Sequence, residues 1–197
     1  MPTLRLRATI STLLILATCP VAVAAPDAGA KARGDYNFYG HSAHTTFSSA
    51  RGHVETYQRY LSDTHGIPLP TGDVPAAAIA APAAQIAAHG AVDPEIAREA
   101  SDAIADDIER IQRHVTRMQA RAKGLGNADA LAKLADVEKQ LGIARRGHAA
   151  LHEHHAGESI APATAMELAR KVNDALRTAH KEHDEVLTRL GGEAALK

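Results

Sequence analysis

Apolar residues recur at intervals of three and four along most of the chain, with little of the period-two alternation that marks strands. The pattern therefore predicts amphipathic helices. Phe47, Ala50, Val54, Tyr57 and Leu61 form the seam of a first helix, from about Ser42 to Thr64. Gly66 supplies a left-handed stop, and Pro68 and Pro70 prevent continuation. Asp93-Pro94-Glu95 then combines an N-cap acid, a proline at the first helical position and an acid near the positive end of the helix dipole. The second seam is Ile104, Ile108, Ile111, Val115, Met118 and Ala122, stopped by Gly124 and Gly126. Asn127 caps the third, in which Leu134, Val137, Leu141, Ala144, His148, Leu151 and His155 alternate in threes and fours up to Gly157. Thr164 and Glu167 offer a capping box for a fourth, with seam residues Ala165, Ala169, Val172, Leu176, Ala179, His183, Val186 and Leu190.

Four helices with one apolar stripe each predict an all-α, antiparallel four-helix bundle spanning residues 42–190. Residues 66–92, rich in Ala, Pro and Gly, form the long connection between helices 1 and 2, with a short helix around 76–88 interrupted by Pro82. The small, polar and Gly-containing stretch 25–41 is expected to be a flexible N-terminal segment, and 191–197 a C-terminal tail. Aromatics supply only 3% of residues and Trp is absent, so aliphatic side chains must fill the core. Gly142 and Gly147 each weaken the third helix by roughly 1 kcal/mol relative to Ala, which predicts a kink or a close helix contact there.

The first 24 residues do not belong to this plan. Arg5 and Arg7 precede the apolar run Ala8 to Ala17 and the small-residue stretch Ala22-Val23-Ala24-Ala25, the layout of a signal peptide cleaved after Ala24. The expected product is periplasmic or secreted, with no transmembrane segment in the mature chain. Leu16-Ala17-Thr18-Cys19 resembles a lipobox, but Thr before the cysteine disfavours lipid anchoring through Cys19. Loss of Cys19 with the signal leaves no thiol, which excludes disulfides, thiolate zinc sites and cysteine nucleophiles. Losing Arg5 and Arg7 takes the net charge from −1 to about −3, too balanced for a nucleic-acid binder.

Twelve histidines set the chemistry, most of them in the C-terminal halves of helices. His41/His44, His152/His155 and His180/His183 have H-x-x-H spacing and His148/His152 are four apart, so each pair shares a helix face. His148, His155 and His183 interrupt otherwise apolar seams, where a buried imidazole needs a partner for each nitrogen. At about 1.5 Å per residue, His114 lies roughly 12 Å before the end of helix 2, and His180 and His183 roughly 10–15 Å before the end of helix 4. An antiparallel first helix brings His53 to the same layer. The expected metal site is therefore His114, His180, His183 and His53, with Met118 and Asp184 nearby. His148, His152 and His155 form a secondary site toward the opposite end. Imidazoles without thiolates suit Cu, Zn or Ni better than Ca²⁺ or Mg²⁺. The competing reading of each histidine is a solvated or partner-satisfied polar residue.

The chain has no Glu-x-x-His, H-E-x-x-H, C-x-x-C-H, G-x-S-x-G, phosphate loop or dinucleotide fingerprint. The expectation is thus an exported, non-enzymatic bundle that binds or buffers a transition metal. Two alternatives stand beside it. One is a stress-related or envelope scaffold that contacts another envelope protein and holds no metal. The other is a bundle holding non-covalent haem through His and Met, for which aromatic residues are scarce.

Overall fold

Local chemistry sets the helix boundaries in this computed structural model, which describes residues 28–69 and 90–194, with side chains through 188. The four helices are α1 (Ala28–His65), α2 (Pro94–Gly124), α3 (Ala128–His155) and α4 (Pro162–Ala194), and no strand occurs among the described residues. The Asp93 side chain accepts a 2.8 Å hydrogen bond from Glu95 N–H, and Pro94 follows at the first helical position. Gly126, at φ +67°, turns the chain out of α2, and the Asn127 side chain accepts from Ala130 N–H at 2.9 Å to start α3. Gly66, at φ +66°, ends α1 as its position predicts. No described helix is long and apolar enough to cross a membrane.

Three boundaries depart from the sequence expectation. Residues 28–41 are not a flexible lead-in but the first turns of α1. The apolar stripe runs back from Phe47 through Ala43 and Gly40 to Tyr36 in the same alternation of threes and fours, and all three are buried. Asp35 anchors this end to α2 by a 3.1 Å ion pair with Arg121. Secondly, α4 starts at Pro162, where the Ala165 N–H donates to Ala161 O at 3.0 Å. Proline preorganises that start, so the capping box at Thr164 is not used, and Glu167 instead pairs with Lys171 at 2.8 Å. Thirdly, the helical backbone continues beyond 190 to Ala194. The signal peptide, the short helix expected at 76–88, His89 and residues 195–197 lie outside the described residues.

Each helix packs on two others, α1 and α3 each against α2 and α4, which closes a ring of four. Along α1, Asp35 meets Arg121, His53 meets Asp107 and Tyr60 meets Asp93, so partners on α2 recede as α1 advances. Gly40 against Leu187 and Gln58 against Asn173 give the same order between α1 and α4. All the apolar seam residues read from the sequence are buried wherever their side chains are described. Two glycines are close-contact points. A Cβ on Gly40 would overlap the Leu187 side chain, and one on Gly147 would lie 3.2 Å from a Val172 methyl. Gly142 meets nothing nearer than the Arg146 guanidinium at 3.6 Å, so only the second of the two α3 glycines marks a close helix contact.

Candidate metal centre

The register of α1 on α4 juxtaposes three side chains from distant parts of the chain. His180 and Asp184, four residues apart, share a face of α4, and His44 projects toward them from the flank of the α1 seam. His44 Nδ1 lies 2.8 Å from Asp184 Oδ1 and 2.9 Å from His180 Nε2, and the third side of this triangle is 3.7 Å. Among the described residues these three form the one group of histidine and acidic side chains whose donor atoms converge in this way. Phe47, one turn after His44, stacks on the His180 ring at 5.1 Å and 9° and holds its plane.

A neutral imidazole nitrogen carries either a hydrogen or a lone pair in the ring plane, so His44 Nδ1 cannot make two full hydrogen bonds to Asp184 and His180 at once. The three distances put a point about 1.9 Å from every donor atom in their plane, and moving about 0.8 Å out of it gives the ~2.05 Å of a first-row metal bond to imidazole or carboxylate. The surroundings of His180 disfavour its protonated form. Burial, followed by the charges of His44 and Arg51, holds the proton affinity of His180 below the usual histidine range, against the opposing pull of Asp184. The His44 and Asp184 side chains are about half exposed, which leaves the triangle open on one side.

His183 lies beside the triangle, fully buried and tilted against Phe47 at 5.4 Å. Its Nδ1 is 3.7 Å from Asp184 Oδ1, beyond hydrogen-bond reach, and neither ring nitrogen has a hydrogen-bond partner. Burial dominates its titration and lowers its pKa to about 4, although Asp184 pulls the other way.

The other expected ligands go elsewhere. His53 is exposed on the opposite flank of α1 and bonds buried Asp107 at 3.0 Å. It stands nine residues beyond His44, about 13.5 Å along the helix, and misses the layer because α1 begins well before Ser42, at Ala28. His114 is half-buried with its ring 6.3 Å from Tyr39, and Met118 is core beneath Gly40. The expected four-histidine layer thus keeps His180 and His183, and His44 takes the place given to His53. His44 was legible as half of an H-x-x-H pair, but its partner His41 points to solvent.

The secondary set does not converge. The His148 Nε2 contacts Ser101 O at 2.9 Å and Ser101 Oγ at 3.0 Å, and His152 Nδ1 meets the same hydroxyl at 3.2 Å. His155 Nε2 and the Tyr57 hydroxyl share a hydrogen bond of 2.8 Å, which ties α3 to α1. Burial, reinforced by His154, His152 and His148, lowers the His155 pKa to about 4. His154 donates to Ala161 O at 3.1 Å and closes the α3–α4 turn. Each of these imidazoles engages one nitrogen with the protein, and His155 Nδ1 is buried without a partner. No family model, curated protein or solved structure matches this chain.

Proposed function

We propose that this protein is an exported, non-enzymatic helical bundle that binds a single transition-metal ion, Cu²⁺, Zn²⁺ or Ni²⁺, through His44, His180 and Asp184. The observation that carries this reading is the convergence of the three donor atoms, none more than 3.7 Å from another, with more lone pairs than hydrogens between them. Two imidazoles and a carboxylate are the donor set these borderline ions prefer, and no thiolate is needed. The fully buried His183 and the Phe47 ring back the site and close its inner side.

Titration of the metal-free chain with each ion, with thermal melting followed in parallel, tests the reading. One-to-one saturable binding is expected, with a melting temperature that rises with metal concentration, because the ion binds the folded state. His180→Ala and Asp184→Asn should each weaken binding at least tenfold, while His148→Ala/His152→Ala should not. Equal affinity in the His44→Ala/His180→Ala double variant would overturn it.

A further inference from the structure

Two of the three donors, His180 and Asp184, line an open cleft of about 490 Å³ together with Arg51, Arg177, Lys181, Glu185 and Thr188. The helical period produces this grouping. Arg51 follows His44 by seven residues on α1, and Arg177, Lys181, Asp184 and Thr188 succeed one another at threes and fours on α4. The cationic groups therefore share the face that carries the metal donors.

Three protein donors leave a four- to six-coordinate ion with at least one vacant position, as in zinc sites that keep a place for an exogenous ligand. His183 and Phe47 close the inner side with buried rings, so the vacancy faces the cleft. There the charges favour an anion. Among the described residues, Arg51 and Arg177 are each paired only with a carboxylate of their own helix, Glu55 at 3.2 Å and Asp174 at 3.3 Å. Exposed pairs of this kind contribute about 0.3–0.5 kcal/mol and yield readily to a better partner. The Arg51 Nε is buried without a hydrogen-bond partner, and Lys181 takes part in no ion pair among the described residues. The lining acids are Asp184, which the ion would neutralise, and Glu185, which lies 3.6 Å from Lys133.

Resting on the metal-binding reading above, we propose that the site takes its ion together with a small oxyanion, a carboxylate or phosphate that fills the vacant coordination position and is held by Lys181, Arg177 and Arg51. Such a site binds metal–oxyanion complexes in preference to the aquo ion, since the anion's charge meets both the metal and the cationic wall.

The test uses the full chain loaded with one equivalent of Cu²⁺, whose visible absorption and electron paramagnetic resonance report its ligands. Addition of oxalate or inorganic phosphate should shift both spectra saturably with copper retained. Whichever anion saturates at the lower concentration identifies the oxyanion class. In the Arg177→Gln/Lys181→Gln variant, copper affinity measured without anion should match the parent, and the anion should bind at least tenfold more weakly. An equal anion affinity in this variant, spectra indifferent to both anions, or release of copper to the anion would overturn the inference and leave the metal site standing. Failure of the parent chain to bind Cu²⁺, Zn²⁺ or Ni²⁺ at all would remove the metal-binding reading itself.

Discussion

His183 occupies a seam position of α4 between Ala179 and Val186, where its fully buried ring leaves both nitrogens without hydrogen bonds. Burying an unpaired polar group costs about 1–3 kcal/mol on mutational scales, so the protein carries a destabilising residue in its core. Leucine is of similar size and has no polar atoms. With some loss for imperfect shape, His183→Leu should stabilise the protein by about 2 kcal/mol, or about 4–8 °C in melting temperature for a chain of this length. Acid sharpens the contrast. The pKa of His183 in the folded state is about 4, against about 6.5 in the unfolded chain. Above both values neither state is protonated and the full stability is present. As pH falls below about 6.5 the unfolded state takes up a proton that the folded state refuses, and stability declines by about 1.4 kcal/mol per pH unit until about pH 4. At pH 5 this linkage amounts to about 2 kcal/mol, so the advantage of the leucine variant should widen from about 2 kcal/mol at pH 7.5 to about 4 kcal/mol at pH 5. Urea unfolding of both proteins with a chelator present measures the gap. The other histidines whose proton affinity burial lowers, among them His148 and His155, are common to both proteins and cancel to first order. A gap that stays constant or narrows with acid would refute the reasoning.

The glycines supply a graded set. Gly52→Ala and Gly142→Ala meet no obstruction and should stabilise by about 0.5–1 kcal/mol through helix propensity, whereas Gly40→Ala should destabilise because the new methyl collides with Leu187. Calorimetric melting of the three variants checks that order. Tyr57→Phe removes the hydroxyl hydrogen-bonded to His155 Nε2, and should cost about 1–3 kcal/mol in denaturant unfolding at pH 7.5 by leaving a half-buried ring nitrogen unpaired. Asp93→Ala and Asn127→Ala each delete an N-cap, and each should cost about 1 kcal/mol in the same assay.

The apolar seams were legible because period and burial coincide. Ile104 to Ala122 and Leu134 to Leu151 needed only the rule of threes and fours, and the Asp93 and Asn127 caps were visible as residue types at fixed offsets. The start of α1 was obscured by composition. Gly34 and Gly40 look like helix breakers, yet Gly40 sits where α1 meets Leu187 closely and occupies a stripe position between Ala43 and Tyr36, which hides the continuation of the period. That error shifted the reference for axial heights. The layer was therefore assigned to His53, whose true neighbour is the buried Asp107, instead of His44. The histidines at 148–155 looked like ligands because spacing reports which face they share. It does not report that Ser101 and Tyr57 on other helices already hold them.

The contact between His44 and Asp184 spans 140 residues of sequence and joins the first helix to the last. A fragment lacking α1 retains only the α4 pair, and the complete triangle exists only once the bundle has shut. An ion bound by these three groups would be a clasp whose two halves are made at opposite ends of synthesis. On the reading proposed above, loading follows folding, because a chain still on the ribosome lacks the complete donor set.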